Sequence, residues 1–219
     1  ARHVRRSCAF RSASLASVAM QSFDHLAINA ATLAEGVAHV EALAGHRMGP
    51  GGEHALMATH NRLSGLGTGE YLEVLAIDPD APPPGRPRWF DLDRRAGPPR
   101  IGNWIVRTDD LDALIRRYPA AGRAVSFERG PYRWRMAVPE NGILPFDGCF
   151  PALLQWDTPA PTFPDTGLRL TALTLSHPNG DRLKGMLDDI LTDTRISVNV
   201  EKRRIAAFLD TPAGPRNLA

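Results

Sequence analysis

The most reactive type of side chain near the start of the sequence is a histidine inside an apolar strand pattern. His25 lies in FDHLAINA, residues 23–30, whose alternation of apolar and polar residues predicts a β-strand. An imidazole at such a position suits a metal ligand or an acid–base group, although a strand histidine can also be a hydrogen-bonded core residue. A carboxylate, Glu73, interrupts the apolar strand YLEVLAI in a similar way. The matched pair favours a functional site.

A second pair of polar residues repeats this spacing later in the chain. Aligning FDHLAINA with IGNWIVRT sets His25 against Asn103, and aligning YLEVL with ALLQW sets Glu73 against Gln155. The two separations are 48 and 52 residues. Near-equal spacing in two strand pairs indicates an internal repeat, which is the feature that most constrains the fold.

The elements that must position these residues have the same order in both halves. In the first half, the strand is followed by a helix in TLAEGVAHVEALAG, with Thr32 as its cap and Gly45 at its end. ATHNRLSGLG and EYLEVLAID then form a hairpin. In the second half, IGNWIVRT is followed by the helix DDLDALIRRYPAAG and by three strands in AVSFERG, YRWRMAVPENG and CFPALLQWD. Both halves are predicted to be βαβββ modules.

The predicted fold class is α+β, with two βαβββ modules that form curved mixed sheets around a cleft, plus a C-terminal partial β-α-β-β unit. The predicted divisions are an unstructured N-terminal extension at 1–21, a first module at 22–80, a Pro-rich linker at 81–99, a second module at 100–158, and the C-terminal partial module and tail at 159–219. The extension contains Arg and Ser but no acidic residue, as mitochondrial transit segments do. We favour instead an upstream extension before a natural start at Met20, and we expect no catalytic function in it.

The overall composition is that of an ordinary globular protein, with 43% hydrophobic residues, 23% charged residues and a net charge of +2. Neither nucleic acid nor membrane is expected as a partner, because basic residues do not cluster and no run of about 18 apolar residues occurs. Cys8 and Cys149 form neither a disulfide framework nor a zinc spacing, which favours a reduced, cytoplasmic protein. Monomer and homodimer both stay open.

Five motifs, FDHLAI, THNRL, YLEVLAIDPDAP, PRWFDLD and LLQWD, resemble the bacterial glyoxalase-like domain group of the vicinal oxygen chelate superfamily. The resemblance covers about residues 22–210. It implies a cleft between two modules, with metal ligands from the first and last strand of each. By position, the candidates are His25, Glu73, Asn103 and Gln155. We expect His25, Glu73 and Gln155 to bind a divalent metal, although amides are weak neutral ligands where His or Glu is more common.

Strand alternation also predicts a polar, net positive concave surface. If Leu63 and Met136 face the helices, the polar residues that alternate with them face the cleft. Arginine there would suit an anionic ligand, because its guanidinium forms two parallel hydrogen bonds with carboxylate or phosphate. The predicted substrate-binding residues are Arg62, Asn103, Arg107, Arg133, Arg135 and Gln155.

Two classes of function follow, and we favour the first. An enzyme would use the metal as a Lewis acid in lyase or isomerase chemistry on a small, anionic, oxygen-rich substrate, with Glu73 and His60 as catalytic residues. A ring-cleaving dioxygenase is a weaker possibility, since its two-His, one-carboxylate site would need His25, His60 and Glu73. The alternative is a metal-free protein that binds and sequesters a small molecule, as resistance-type relatives do. The amides of Asn103 and Gln155 favour this alternative.

Overall fold

The computed structural model describes residues 21–219. The predicted N-terminal extension lies outside this range, except for Gln21, which is the first residue of the first strand. No helix in residues 21–219 is long and apolar enough to span a membrane.

The first module has the predicted β-α-β-β-β order. Its elements are β1 (Gln21–Asn29), α1 (Leu33–Ala44), β2 (Glu53–His54), β3 (Thr59–Gly65) and β4 (Tyr71–Ile77). The predicted caps of α1 are present: Thr32 Oγ1 accepts a hydrogen bond from the backbone N–H of Glu35, and Gly45 ends the helix at φ +73°.

The second module repeats this order. Its elements are β5 (Arg100–Thr108), α2 (Leu111–Arg117), β6 (Arg123–Arg129), β7 (Tyr132–Val138) and β8 (Ala152–Trp156). Asp110 caps α2, because its side chain accepts a hydrogen bond from the backbone N–H of Ala113. The Pro-rich segment between the modules contains a short 3-10 helical stretch at Trp89–Arg94.

The two modules share one curved, nearly closed sheet of eight strands in the order β2-β3-β4-β1-β5-β8-β7-β6. Within each module the first and last strands are parallel neighbours, β1 with β4 and β5 with β8. The modules join through the antiparallel pairing of β1 with β5. The predicted α+β class with two modules and a partial third unit is therefore confirmed.

The C-terminal unit forms a second sheet of four strands, β10-β9-β11-β12. Its elements are β9 (Arg169–Ser176), α3 (Gly180–Asp188), β10 (Ile196–Asn199), β11 (Arg204–Asp210) and β12 (Arg216–Leu218). Leu173 and Ile205 of this sheet belong to the same buried cluster as Leu26 of β1. The partial unit therefore covers one face of the large sheet.

Two separate cores define the two faces of the large sheet. The outer core contains Leu26, Ile28 and Trp104 together with residues of the helices and the small sheet. The inner core contains Ala27 and Ile105 together with side chains of the linker and of β7 and β8. Because neighbouring residues of a strand point to opposite faces, the odd-numbered residues His25, Ala27 and Asn29 belong to the inner side.

The strand pairing corrects one of the predicted matches between the modules. The alignment of the first strands sets Ala27 against Ile105; in the sheet, Ala27 pairs with Glu73 and Ile105 pairs with Ala152. The counterpart of Glu73 is therefore Ala152 and not Gln155. Equal spacing from Asn103 would have led to residue 151, next to Ala152. The mismatch arose because the prediction matched the polar residue Gln155 to Glu73, although its separation from Asn103 is four residues longer.

Candidate active site

His25 lies buried between two carboxylates. Its Nδ1 atom is 2.6 Å from Asp24 Oδ1, and its Nε2 atom is 3.5 Å from Glu73 Oε2. Consecutive residues of a regular strand would point to opposite faces, but the β1–β5 pairing has a register shift between Phe23 and His25. This irregularity lies at Asp24, where it allows the carboxylate to reach the neighbouring imidazole.

Asp24 is fully buried and has several partners besides His25. Trp156 Nε1 donates a hydrogen bond to Asp24 Oδ2 at 3.0 Å. An Arg107 guanidinium nitrogen lies 3.6 Å from the same oxygen. A buried carboxylate needs such partners, because losing its hydration is otherwise too costly. Asp24 therefore holds the Nδ1 side of the ring and leaves Nε2 towards Glu73.

A hydrogen-bonded chain from β2 and β3 fixes the other carboxylate. Asn61 Nδ2 donates to Glu73 Oε1 at 2.6 Å, and Asn61 Oδ1 accepts from the backbone N–H of Gly52 at 2.9 Å. His54 Nε2 lies 3.4 Å from the Asn61 amide nitrogen, and His54 Nδ1 lies 3.1 Å from Thr59 Oγ1. The side-chain amide of Asn61 thus orients Glu73, and the backbone N–H of Gly52 holds that amide in position.

The surroundings of the His25–Glu73 pair favour the charged form of each side chain. Burial alone would raise the pKa of Glu73, but hydrogen bonding and charge from His25, with smaller contributions from His54 and Asn61, lower it to about 2. Burial alone would lower the pKa of His25, but Asp24 and Glu73 outweigh burial and raise it. The two acidic neighbours therefore favour the protonated form of the His25 imidazole.

The neighbouring aromatic groups stay neutral. Burial lowers the pKa of His54 to about 4, so its imidazole carries no charge near pH 7. Burial, followed by the charges of Asp24 and Glu73, raises the pKa of Tyr71 well above its ordinary value. The ring of Tyr71 stacks on that of His25, with centroids 4.2 Å apart.

The His25 pocket is the small cavity in front of this pair. Its volume is about 20 Å³, which is enough for about one water molecule, so side chains must move apart to admit a larger ligand. Trp89 Nε1 and Trp134 Nε1 are buried there and have no hydrogen-bond partner among residues 21–219. The pocket therefore offers two unused N–H donors. Its other aromatic walls are Tyr71, Phe90 and Trp156.

Arg129 connects the His25 pocket with the surface. It is the last residue of β6, and it lines both this pocket and an open groove of about 780 Å³ that also includes Tyr132 and Phe163. Among the described residues, the side chain of Arg129 has no ion-pair or hydrogen-bond partner, although its guanidinium lies 6.0 Å from the centre of the Tyr132 ring. A half-buried cation without an anion can bind one from solution.

His60 and Arg62 lie on the other face of the sheet, contrary to the predicted orientation. Leu63 pairs with Glu73 across β3 and β4, so Leu63 shares the inner face and its neighbours alternate away from it. His60 and Arg62 instead line a surface cavity beside Val37 of α1. The prediction reversed the two faces of β3, and the structure does not bring His60 to His25.

Arg135 and Gln155 are also outside the His25 pocket. Arg135 donates to Gln155 Oε1 at 2.9 Å and lies 3.1 Å from Asp112 of α2. Gln155 Oε1 also accepts from the backbone N–H of Leu111, at the start of α2. The inner side of these strands carries Trp134, Met136 and Leu154 instead, so here too the predicted faces are reversed.

The remaining predicted residues have different surroundings. Arg133 is exposed and lies 3.8 Å from Glu128. Asn103 is completely buried opposite Ala27, and both polar atoms of its side chain lack a partner among the described residues. Arg107 is the one predicted arginine that lies against the site, through its contact with Asp24.

Sequence reasoning missed four residues that surround the His25–Glu73 pair: Asp24, His54, Asn61 and Arg129. Asp24 precedes His25 directly, but a regular strand would have turned it away. His54 lies in a strand of only two residues, where no periodicity exists to reveal its direction. Asn61 lies between His60 and Arg62, which were assigned to the cleft. It could have been found from Leu63, because residues two apart on a strand share a face and Leu63 lies on the inner face.

The donors fit part of a divalent metal site. His25 Nε2 and Glu73 Oε2 are chemically suitable, and a separation of 3.5 Å allows both to bind one ion. Metal ligands usually have a supporting hydrogen bond, and both of these residues have one: His25 with Asp24, and Glu73 with Asn61. Among residues 21–219, however, no group of three or more His, Cys, Asp or Glu side chains is arranged to hold an ion. Gln155, the predicted third ligand, faces α2.

Comparison with known proteins agrees with this architecture. The model of a family described as "Glyoxalase-like domain" matches residues 23–191. A crystal structure of a hypothetical protein from Staphylococcus aureus has a TM-score of 0.56 at 15% identity, covering 88% of this chain and 82% of that one. Methylmalonyl-CoA epimerase from Mycobacterium tuberculosis has a TM-score of 0.41 at 21% identity, covering 64% and 88%. A search of curated proteins gave no match.

Proposed function

Because the chain belongs to the glyoxalase-like domain family of the vicinal oxygen chelate superfamily, we propose that it is an isomerase or lyase with His25 and Glu73 at the reacting atoms. One observation carries the proposal: a buried imidazole lies between two carboxyl groups and faces an aromatic pocket. Opposed acid and base groups whose pKa values are pushed apart are typical of proton-transfer sites.

In the proposed reaction, His25 acts as the acid and Glu73 as the base. Glu73 removes a proton from a carbon next to a carbonyl group, and that C–H electron pair becomes the new C=C bond. His25 Nε2 donates its proton to the carbonyl oxygen, which gives a neutral enol. For an isomerisation, the carbon that lost the proton must carry a hydroxyl group. Glu73 then returns its proton to the former carbonyl carbon, while neutral His25 takes the proton of that hydroxyl group, whose oxygen becomes the new carbonyl oxygen; both side chains are thereby restored. Asp24 keeps the ring oriented and stabilises its charge before the transfer.

Substrate binding would raise the pKa of Glu73 and so make it a better base. In the free protein, His25 contributes to the low pKa of Glu73, which makes the carboxylate a weak base. When His25 turns its hydrogen bond to a substrate oxygen, Glu73 loses this partner. The pKa of Glu73 then rises, because fewer contacts oppose the effect of burial, and the carboxylate becomes a stronger base.

The groups around the pocket suit a small, anionic, oxygen-rich substrate. The unused N–H groups of Trp89 and Trp134 can donate to substrate oxygens, and Arg129 can pair with a carboxylate at the mouth of the pocket. The adjoining groove provides a route from solvent, because Arg129 lines both spaces. These side chains replace the arginines predicted from β3 and β7.

Superfamily members often use divalent metals. In this chain His25 and Glu73 would hold the ion, with its remaining positions open to water or substrate oxygens. When bound, such an ion would polarise the carbonyl oxygen as a Lewis acid in place of the proton on His25 Nε2, because a nitrogen that binds a metal cannot carry that proton. Because the described residues supply two side-chain ligands, we expect weak, exchangeable metal binding.

The proposal is tested by solvent exchange. The purified protein is incubated in D2O with a panel of small 2-oxo and 2-hydroxy carboxylates, with and without added Mg2+, Mn2+ or Zn2+, and loss of the C–H signal is followed by NMR. We expect exchange with at least one compound, and a fall of about 100-fold or more in Glu73→Gln and His25→Asn. Glu140→Gln, which alters an exposed carboxylate away from the His25 pocket and its groove, is the matched control. Equal rates in Glu73→Gln and wild type would overturn the assignment.

A second candidate is a metal-free binding protein. The absence of a third metal-ligating side chain beside His25 and Glu73, within the described residues, favours it. It predicts saturable binding of small carboxylates, lost in Arg129→Gln, with no exchange of substrate hydrogens at any metal concentration. A cytoplasmic location and a monomer or homodimer remain predictions from the sequence.

A further inference from the structure

A second cavity, of about 230 Å³, lies on the other side of Phe90 from the His25 pocket. Phe90 belongs to the walls of both. The second cavity is formed where β1 ends, at Asn29, and where β5 begins, at Arg100 and Gly102. The linker, the connection before β8 and the turn before β11 complete it. We call it the arginine cavity.

Four guanidinium groups surround the arginine cavity, and two carboxylates face them. The arginines are Arg94, Arg95, Arg100 and Arg203, and the acids are Asp91 and Asp147. Arg94 pairs with Asp91 at 2.7 Å, while the side chain of Asp147 is 73% exposed. The walls therefore carry an excess of two positive charges, and Arg95, Arg100 and Arg203 have no ion pair within residues 21–219.

The arginines with no ion pair are held in place by backbone groups. Arg203 donates through Nε to the Asp147 carbonyl at 3.0 Å and through NH2 to the Gly102 carbonyl at 3.3 Å. Arg95 Nε donates to the Asn29 carbonyl at 3.3 Å, and Arg100 donates to the Ala96 carbonyl. Guanidinium groups fixed by neutral carbonyls keep their full charge for a ligand, and little side-chain entropy is lost when one binds.

Two buried polar atoms at this cavity have no partner among the described residues. They are the NH2 nitrogen of Arg95, a donor, and Oδ1 of Asn29, an acceptor. Buried polar atoms are nearly always hydrogen-bonded, so each of these two atoms would gain a partner if the cavity wall shifted enough for a ligand to reach it. Burial and the nearby charge of Arg100 lower the pKa of Arg95, a cost that a bound anion would offset.

We propose that the arginine cavity is a binding site for the phosphate group of a small phosphorylated metabolite. A dianionic phosphate balances the two excess charges, and its tetrahedral oxygens can accept from guanidinium groups on several sides. A planar carboxylate accepts from fewer directions. The acceptor of Asn29 suits a hydroxyl group beside the phosphate, and the volume leaves room for a few carbon atoms. The proposal is independent of any reaction at His25.

The test is isothermal titration of the full chain at low salt with inorganic phosphate, glycerol phosphate and acetate. We expect both phosphates to bind at one site and acetate to bind much more weakly. Arg95→Gln and Arg203→Gln should each weaken phosphate binding about tenfold or more, since each removes a charge-assisted hydrogen bond. Tighter binding of glycerol phosphate than of phosphate would identify an organic phosphate as the ligand. Equal binding of the two would contradict the assignment to a phosphorylated metabolite and would identify free phosphate as the ligand.

The matched control is Arg116→Gln, which removes the same charge from an exposed position on α2. It should change phosphate binding less than twofold. The proposal is refuted if wild type does not bind phosphate at millimolar concentration, or if Arg203→Gln and Arg116→Gln bind it equally. If Arg95→Gln fails to fold, Arg100→Gln is measured instead, and the same two outcomes would refute the proposal.

Discussion

Replacing Glu73 with glutamine should destabilise the protein most strongly at mildly acidic pH. Glutamine keeps the volume of the side chain and the acceptor for Asn61, and it removes only the charge beside His25. The pKa of Glu73 falls from 4.5 to about 2 in the folded protein. At about 1.4 kcal/mol for each factor of ten in proton affinity, this difference contributes about 3 kcal/mol to the free energy of unfolding. The raised pKa of His25 reflects the same interaction, so its energy is not added to this value.

The sign of each contribution defines the pH window. The lowered pKa of Glu73 stabilises the fold above pH 4.5, and this stabilisation is lost as the pH falls towards 2. The raised pKa of His25 stabilises the fold below pH 6.5, and this stabilisation is lost as the pH rises through the folded-state pKa. Wild type and variant should therefore differ most between pH 4.5 and 6.5, and less on either side.

The assay is chemical denaturation of both proteins at pH 3, 5.5 and 9. We expect a difference of about 3 kcal/mol at pH 5.5 and a smaller difference at the other two values. NMR of the imidazole groups should show in parallel that the pKa of His25 is lower in the variant. Glu128→Gln, at an exposed position, should stay within about 0.5 kcal/mol of wild type throughout. A variant as stable as wild type at pH 5.5, or a difference that does not depend on pH, would show that the pair is not an ion pair.

Three further predictions concern neutral and closely packed groups. His54 should keep the NMR shifts of a neutral imidazole from pH 5 to 8, because burial lowers its pKa to about 4; an ordinary titration near pH 6.5 would contradict this burial. Gly51→Ala should cost about 1–3 kcal/mol in a melting experiment, because its Cβ would overlap the carbonyl group of Asn61, whereas Gly185→Ala has open space and should be neutral or stabilising. Cys149 should resist alkylation in the native protein at pH 8, because burial raises its pKa to about 11; rapid labelling of the Cys149 peptide, detected by mass spectrometry, would argue against this.

The repeat and the central pair of the site could be predicted because both depend on local pattern. Alternation of apolar residues defines strands, and a cap such as Thr32 defines a helix start. A polar residue in an otherwise apolar strand is visible without knowledge of its neighbours, and this is how His25 and Glu73 were found. The two meet because β1 and β4 are parallel neighbours.

The direction of the polar residues in β3, β7 and β8 depended on the tertiary structure. Alternation divides a strand into two faces, but which face is enclosed depends on where the helices and the second sheet pack. That packing turned Arg62 and Gln155 away from His25. It turned Asn61 and Trp134 towards the inner side.

By itself, the sequence determined the two βαβββ modules, their strands and helices, and the two residues at the centre of the site, because these follow from periodicity over a few residues. Only the tertiary structure decided the register between β5 and β8, the inward face of each strand, and the partners that reach the site from elsewhere. His54 comes from a strand of two residues and Arg129 from the end of β6. Both approach His25 because the eight-stranded sheet curves until it is nearly closed, and no local pattern encodes that curvature.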